Sequence, residues 1–465
     1  MTSRTETTPP SAPSSRSLRS RRRPDVEQEH HGGLEEEFEN VPVPQSHRRS
    51  VFSVSAVWFG FPMVLTSAIF GGTIVYGLGF WKGILSIVIG NLVLFAYVGS
   101  LSYLAGKTGK NFALSAAETF GRNGAKIVAG FLSTVVIGWF AFQTGLTGAT
   151  LETSLGWNAT LLALIAGLLY IGVTFIGIRA LTVIGLIAAP LFIALGIVAV
   201  VIATRTDGVG SITSFQGASD ATVLSIGAAV TIVIAGFVDS GTMTADFTRW
   251  SRNGKEAVVA TFSAFPIANM IAMIVGGIVV AAGAAIDPAK NGGDFLPILT
   301  EHGAVLTVLA VIFVFVNLGS VCAHCLYNGA VGWSQLTGSK MRLLTILLGA
   351  VGLVIALAGV WSHFSTWLNL LGIFVPSIGA VLIVDQLITR RAAAREITGF
   401  RMQPFAAWVI GAACAYAVHH WAPQLSEAIV GMVCAAVAYL IIEAVLPDRI
   451  SKTTTRSTTE IEVAG

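Results

Sequence analysis

Ala235-Gly236-Phe237-Val238-Asp239-Ser240-Gly241-Thr242 interrupts a run of apolar residues otherwise long enough to cross a bilayer. A plain membrane helix is apolar throughout, so small residues and a carboxylate at mid-depth mark a place where the helix unwinds. The same disturbance occurs five runs earlier, where Gly60-Phe61-Pro62 lies in the middle of the first run and Gly71-Gly72 follows. Proline lacks a backbone N–H and clashes with the preceding turn, which breaks that helix too. Interrupted helices at corresponding positions in two halves of a chain point to an inverted-repeat architecture with a site at the bilayer midplane. The plainer alternative is that the glycines serve only close helix packing.

Composition fixes the solvent. Of 465 residues, 54% are hydrophobic and 11% charged, and the mean hydropathy is +0.75, outside the range of soluble globular domains. Scanning for runs of about 20 residues, the length that crosses a ~30 Å hydrocarbon core, gives about twelve spans. They lie near 52–76, 83–105, 125–149, 159–177, 181–203, 222–244, 257–284, 303–328, 342–361, 367–388, 404–421 and 425–446. Continuous Leu, Ile, Ala and Gly runs exclude the alternating segments of a membrane β-barrel. The expected fold is therefore all-α and integral to the membrane. Residues 1–50 read as a disordered tail, 51–203 as a first five-span unit, 222–388 as a second, 404–446 as two further spans and 447–465 as a second tail.

Orientation follows from the short loops, because positive residues resist translocation. One set holds Lys107, Lys110, Arg122, Lys126, Arg179, Arg249, Arg252, Lys255, Lys340, Arg342, Arg390, Arg391, Arg395 and Arg401; the alternate set holds only Lys82, Arg205 and Lys290. The basic set shares a side with Arg21, Arg22 and Arg23, so both termini are expected in the cytoplasm of a cell with this protein in its plasma or inner membrane. The net charge of +3 gives no reason to expect a nucleic-acid partner. Cys322, Cys325, Cys414 and Cys434 all sit in apolar runs and read as small hydrophobes. Cys322-Ala323-His324-Cys325 lacks the second ligand pair that zinc requires. No nucleophile elbow or H-E-x-x-H pattern suggests an enzyme.

Within the spans few residues can carry chemistry. Asp239 comes first, since a mid-membrane carboxylate costs ~2.5 to 3.5 kcal/mol on insertion scales and persists mainly where it faces a cavity or partner; the alternative is a structural Asp bonded to freed backbone. Asn317 offers a donor and an acceptor to a heterocycle edge, or a helix-to-helix hydrogen bond. Trp139 and Phe237, each beside a glycine, are placed to hold a flat ring between their faces. Gln143, four residues beyond Trp139, either faces the same cavity or bonds another helix. His324 shares a face with Asn317 at i+7 and reads as a packed neutral imidazole. Ser320 could give a hydroxyl to sodium; Val321 beside it offers nothing. Asp385 reads as a solvated or salt-bridged residue at the end of the tenth span.

Several stretches resemble the cytosine permease branch of the nucleobase:cation symporter-1 family, from about residue 41 to residue 450. Pro42-Val43-Pro44-Gln45-Ser46, Gly71-Gly72-Thr73, Leu104-Ala105-Gly106-Lys107-Thr108-Gly109 and Gly138-Trp139-Phe140 carry the likeness. The most specific stretch is Ser240-Gly241-Thr242-Met243-Thr244-Ala245-Asp246-Phe247-Thr248-Arg249, running into Arg252-Asn253. The resemblance implies a leucine-transporter-like fold, with an inverted five-helix repeat and two extra C-terminal helices. It also implies that Trp139 and Phe237 sandwich a base, that Asn317 bonds its edge, and that main-chain groups from Pro62 to Ser67 contribute. Sodium would sit between carbonyls around Gly60, Met63 and Val64 and the hydroxyl of Ser320.

Three positions depart from the family's pattern: Asp239 replaces a pocket serine, Val136 a third-helix glutamine and Val321 a second sodium-binding threonine. A carboxylate accepts two hydrogen bonds side by side and suits a donor-donor edge, such as guanine N1–H with its 2-amino group, or a protonated base. A protonated Asp239 would instead couple transport to H+. The expected function is import of a purine or pyrimidine base by alternating access, with the tenth helix near Pro376 closing over the site and H+ or Na+ as the coupling ion. No cofactor is expected. Pyrimidine-alcohol vitamin precursors, hydantoin and allantoin are the alternative cargoes, and a non-transporting membrane sensor is the alternative class. The lipid bilayer is the expected surrounding, and a monomer or weak oligomer the expected state.

Overall fold

The computed structural model describes residues 36–219, 224–359, 364–389 and 399–446, together with Thr2. Contacts divide the chain into two compact units, Met1–Glu36 and Glu37–Gly465, and the second carries the fold. Its helices are α1 (Val51–Gly60), α2 (Leu65–Leu78), α3 (Phe80–Thr108), α4 (Phe112–Phe120), α5 (Arg122–Leu155), α6 (Ala159–Ile176), α7 (Ile178–Ser214), α8 (Ile226–Ala235), α9 (Val238–Thr242), α10 (Ala245–Thr248), α11 (Gly254–Phe262) and α12 (Met270–Ala281). There follow α13 (Pro288–Asn291), α14 (Leu296–Thr300), α15 (Ala304–Thr337), α16 (Met341–Leu357), α17 (Phe364–Ile383), α18 (Met402–Trp421) and α19 (Glu427–Val445).

Among the described residues, eight helices are long and apolar enough to cross a membrane, and α1 with α2 makes a ninth, bent by 54°. The shorter α8 and α16, with the 20-residue α18, complete the twelve runs read from the sequence. Hydrophobic run length decides existence; the ends are set by local chemistry. Asn111, Asn158, Ser225 and Asn253 each accept a hydrogen bond from the backbone N–H three residues on, at 2.8 to 3.0 Å, capping α4, α6, α8 and α11. A π-helical turn over Ser263–Asn269, holding Pro266, joins α11 to α12 in one span.

The breaks fall where glycine, proline and small polar residues predict them. Phe61 to Val64 separate α1 from α2, and Gly236-Phe237 separate α8 from α9. The sixth span is more fragmented than its sequence suggests: Met243 and Thr244 interrupt it again before α10. Thr242 helps to end α9, because its hydroxyl bonds back to the Val238 carbonyl at 2.6 Å. α15 lies along α5, and α2 lies along α12. That second contact is backbone on backbone: a Cβ at Gly71 would stand 1.9 Å from the Met273 carbonyl oxygen, and one at Gly276 1.9 Å from that of Ala68.

The tail expected over residues 1–50 ends earlier than its composition implies. Residues 3–35 lie outside the described residues. Glu37 to Arg49, however, are a packed strap, with Glu37, Phe38 and Val43 buried. Glu37 accepts from the Ile178 N–H at 3.0 Å and from the Tyr327 hydroxyl at 2.8 Å. Arg249, read from the sequence as a loop cation, is fully buried and donates to the carbonyls of Phe38 and Glu37 at 2.7 and 2.8 Å. Gly177 makes room for this, at φ +94 with Glu37 Oε1 where a Cβ would stand. Polar composition suggested disorder; specific backbone partners supply the order. Burial pushes the Glu37 carboxyl above its ordinary value of 4.5, against the Tyr327 and Ile178 hydrogen bonds that lower it.

Two other regions differ from the sequence reading. The loop expected between the seventh and eighth spans folds into α13 and α14 and buries Phe295, Leu296 and Leu299. Asp385 takes the salt-bridged of its two readings: it is buried, accepts from the Tyr439 hydroxyl at 2.6 Å and faces Arg401 at 3.4 Å.

Candidate functional site

The two breaks face one another across a small void lined by Phe61, Thr66, Phe70, Trp139, Gln143, Gly236, Phe237, Asp239, Ser240, Val321 and Cys325. It leaves about 10 Å³ for the centre of a water-sized sphere, room for about one water molecule. A flat ring therefore enters only when side chains move apart. Four of the six candidate substrate residues, Trp139, Phe237, Asp239 and Gln143, meet here.

Each is positioned by its element. Phe237 occupies the break itself, with φ −141 and ψ 5, and its ring meets that of Phe61 edge-on at 5.3 Å. Asp239 follows in the first turn of α9, fully buried. Its Oδ1 accepts from the Ser240 N–H at 2.7 Å, while Oδ2 has no hydrogen-bond partner among the described residues. The Trp139 side chain from α5 is the polar side-chain neighbour facing this carboxylate. One turn along α5, Gln143 fits both of its readings: it lines the void, and its Oε1 accepts from the Thr66 hydroxyl of α2 at 2.6 Å, which leaves the amide NH2 for a further acceptor.

Asn317 and Ser67 do not line the void, and freed backbone is the reason. Asn317 Nδ2 donates to the Met63 carbonyl and its Oδ1 accepts from the Leu65 N–H, both at 2.8 Å. One amide thus bridges the unwound segment at Met63 and the start of α2 at Leu65, a clamp between α15 and the first break. Ser67 donates to the Pro62 carbonyl at 2.8 Å in the same repair.

The residues proposed for a cation are adjacent but largely spent on protein contacts. Ser320 Oγ donates to the Gly60 carbonyl at 3.2 Å. The Met63 carbonyl is held by Asn317, and the Val64 carbonyl accepts from Ser67 N at 3.0 Å and Ala68 N at 3.4 Å in the first turn of α2. Val321 turns an apolar side chain into the void. His324 is a packed imidazole: Nδ1 donates to the Ser320 carbonyl at 2.6 Å and the ring lies 5.0 Å from that of Phe61.

Thr66, Phe61, Phe70, Ser240 and Cys325 line the void without having been singled out as site residues. Spacing carried a signal for three of them. Thr66 and Phe70 are one turn apart on α2, four and eight residues past Pro62, and Cys325 is one turn past Val321 on α15. Phe61 and Ser240, inside the two breaks, were legible only as members of those motifs.

Comparison with known proteins agrees with this architecture. The cytosine permease of Escherichia coli (strain K12) is 31% identical over 427 residues, covering 91% of this chain and 97% of that protein. The hydantoin permease of Microbacterium maritypicum is 26% identical over 378 residues, covering 76% of each chain. Among solved structures, Mhp1, a nucleobase-cation-symport-1 family transporter in a closed conformation with bromovinylhydantoin bound, superposes with a TM-score of 0.73 at 20% identity, over 88% of this chain and 96% of that one. The fold is therefore that of a multi-pass secondary transporter, as its two broken spans indicated. The family described as permease for cytosine/purines, uracil, thiamine and allantoin matches residues 42–442, and this chain belongs to that family.

Proposed function

We propose that the protein imports a nucleobase by alternating access, moving it together with a proton, with both termini in the cytoplasm. The observation that carries this reading is Asp239: a fully buried carboxylate beside a helix break, held by the Ser240 N–H, faced by the Trp139 side chain and lining the void with Phe237. A bare anion at that depth is expensive, so a proton or a donor-rich edge completes the site. Protonated, the Asp239 carboxyl presents a donor and an acceptor side by side, which match an adjacent C=O and N–H such as guanine O6 and N1–H. The Gln143 amide NH2 is available to a ring carbonyl, and the aromatic rings cover the faces.

The donor set favours H+ over Na+. Gly60 and Ser320 contribute two oxygens already bonded to each other, Met63 and Val64 carbonyls are engaged, and Val321 contributes none. In this reading α17, with Pro376 inside it, is the element that closes over the substrate. The positive-inside pattern of the loops supports the orientation.

A second cargo reading rests on the hydantoin permease relative: a hydantoin-like ring presents the same flat N–H/C=O edge. A thermal-shift screen of the purified protein against purines, pyrimidines, hydantoin and allantoin, at several pH values and with or without Na+, separates the two, because a ligand that binds the folded state raises its apparent stability. Stabilisation by a nucleobase, strengthened at lower pH and indifferent to Na+, is the expected result. A response to hydantoins alone moves the cargo to the second reading.

A further inference from the structure

Toward the end of the protein covered by the Glu37–Arg49 strap, one face of α15 carries Val321, Cys325, Asn328 and Gly332 at i, i+4, i+7 and i+11. The first two line the void beside Asp239 and Ser240. Gly332 abuts Ser133 of α5, whose Oγ stands where a Cβ would be, with Met243 Cε 3.6 Å from that point. Asn328 thus lies between the floor of the void and the crossing of α5 and α15 beside Met243, where the sixth span is broken again.

Asn328 is fully buried, and neither its Oδ1 nor its Nδ2 has a hydrogen-bond partner among the described residues. Ser133 Oγ is buried as well and has no hydrogen-bond partner among the described residues. Buried amides are almost always satisfied, and an idle one destabilises the arrangement that contains it. In a protein that cycles between arrangements, such a group is explained when another arrangement satisfies it.

We propose that Asn328, with Ser133, is a second polar station on the substrate path, one helical turn beyond the pocket. It takes the ring's hydrogen-bonding edge as the strap end opens. An asparagine amide presents acceptor and donor side by side, so it pairs in a two-bond ring with an adjacent N–H and C=O or ring nitrogen. The ligand class is a flat heterocycle with a lactam- or amidine-like edge. The station rests on the nucleobase reading for its ligand, but not for its effect on stability.

The test compares wild type, Asn328→Leu and Ser133→Ala in detergent and in proteoliposomes, with cytosine and guanine as probes. Replacing an idle amide by an apolar side chain of similar size should raise the ligand-free thermal midpoint of Asn328→Leu. Binding of whichever base stabilises the wild type should stay within about twofold, while uptake falls at least about tenfold, the equivalent of one hydrogen bond lost during transit. Ser133→Ala should keep its midpoint and lose uptake severalfold. A lowered midpoint or failure to fold in Asn328→Leu, together with wild-type uptake in Ser133→Ala, overturns the station, because the amide is then structural. If no base stabilises the wild type, the nucleobase reading fails and the station is decided by the midpoints alone.

Discussion

Asn317→Ala should damage the fold before it damages recognition. The wild-type amide is fully buried and makes two 2.8 Å bonds, one to the Met63 carbonyl and one from the Leu65 N–H. Removing it strands a buried acceptor and a buried donor in a segment with no helical partner for either. Each orphaned group costs about 1–3 kcal/mol, so about 2–6 kcal/mol of stability goes, a large share of what holds a typical fold. Asn317→Asp sharpens the test: it retains an acceptor for Leu65 but aims a carboxylate at the Met63 carbonyl, so it should recover only part of the loss. The assay is the thermal or denaturant midpoint of purified protein without ligand, which isolates folding from binding. If Asn317→Ala keeps the wild-type midpoint within about 0.5 kcal/mol, the limit expected of a neutral substitution, and changes only substrate preference, then Asn317 is a pocket residue and the clamp is wrong.

Three further expectations follow from particular contacts. Gly276→Ala places a Cβ 1.9 Å from the Ala68 carbonyl oxygen, so it should lower the thermal midpoint by an overpacking cost of about 1–3 kcal/mol or more; Gly172→Ala, where a Cβ meets nothing within 4 Å, should be neutral or stabilising, and equal midpoints for the two would contradict the packing. Glu37 has a carboxyl raised by burial, so the stability it lends the strap is full below the ordinary 4.5 and lost as pH rises through the raised value. Proteolytic nicking of the strap should therefore increase with pH in the wild type and stay flat in Glu37→Gln; parallel curves would remove Glu37 from the latch. Val321→Thr restores a hydroxyl beside Ser320 and should make uptake respond to Na+, measured as initial rate against Na+ concentration, whereas unaltered Na+ indifference would show that the missing hydroxyl is not what excludes the ion.

Much of the fold was legible because a bilayer demands long apolar runs and penalises every polar residue inside them. The breaks at Pro62 and Gly236-Phe237 announced themselves for that reason, and so did Asp239. The strap was not legible: Glu37 and Arg249 are polar residues in polar sequence, and what buries them is a set of backbone partners more than a hundred residues away. Site membership was legible to the level of the helix but not of the bond. Asn317 reads as a base partner or as a helix-to-helix bond until the Met63 carbonyl is found beside it, and Gln143 both lines the void and bonds Thr66 of α2, so neither of its readings excludes the other. The additional break at Met243 escaped notice because Met-Thr-Ala is unremarkable as helix sequence, and only the Thr242 hydroxyl turned back onto Val238 shows how α9 ends.

Proton coupling through Asp239 is tested most directly by initial-rate uptake of the stabilising base into proteoliposomes under separately imposed inward H+ and Na+ gradients, for wild type and Asp239→Asn. The account predicts uptake driven by the H+ gradient and indifferent to Na+ in the wild type, with the H+ response abolished in Asp239→Asn while the folded protein remains. Uptake driven by Na+ alone, or an H+ response that survives in Asp239→Asn, would contradict it.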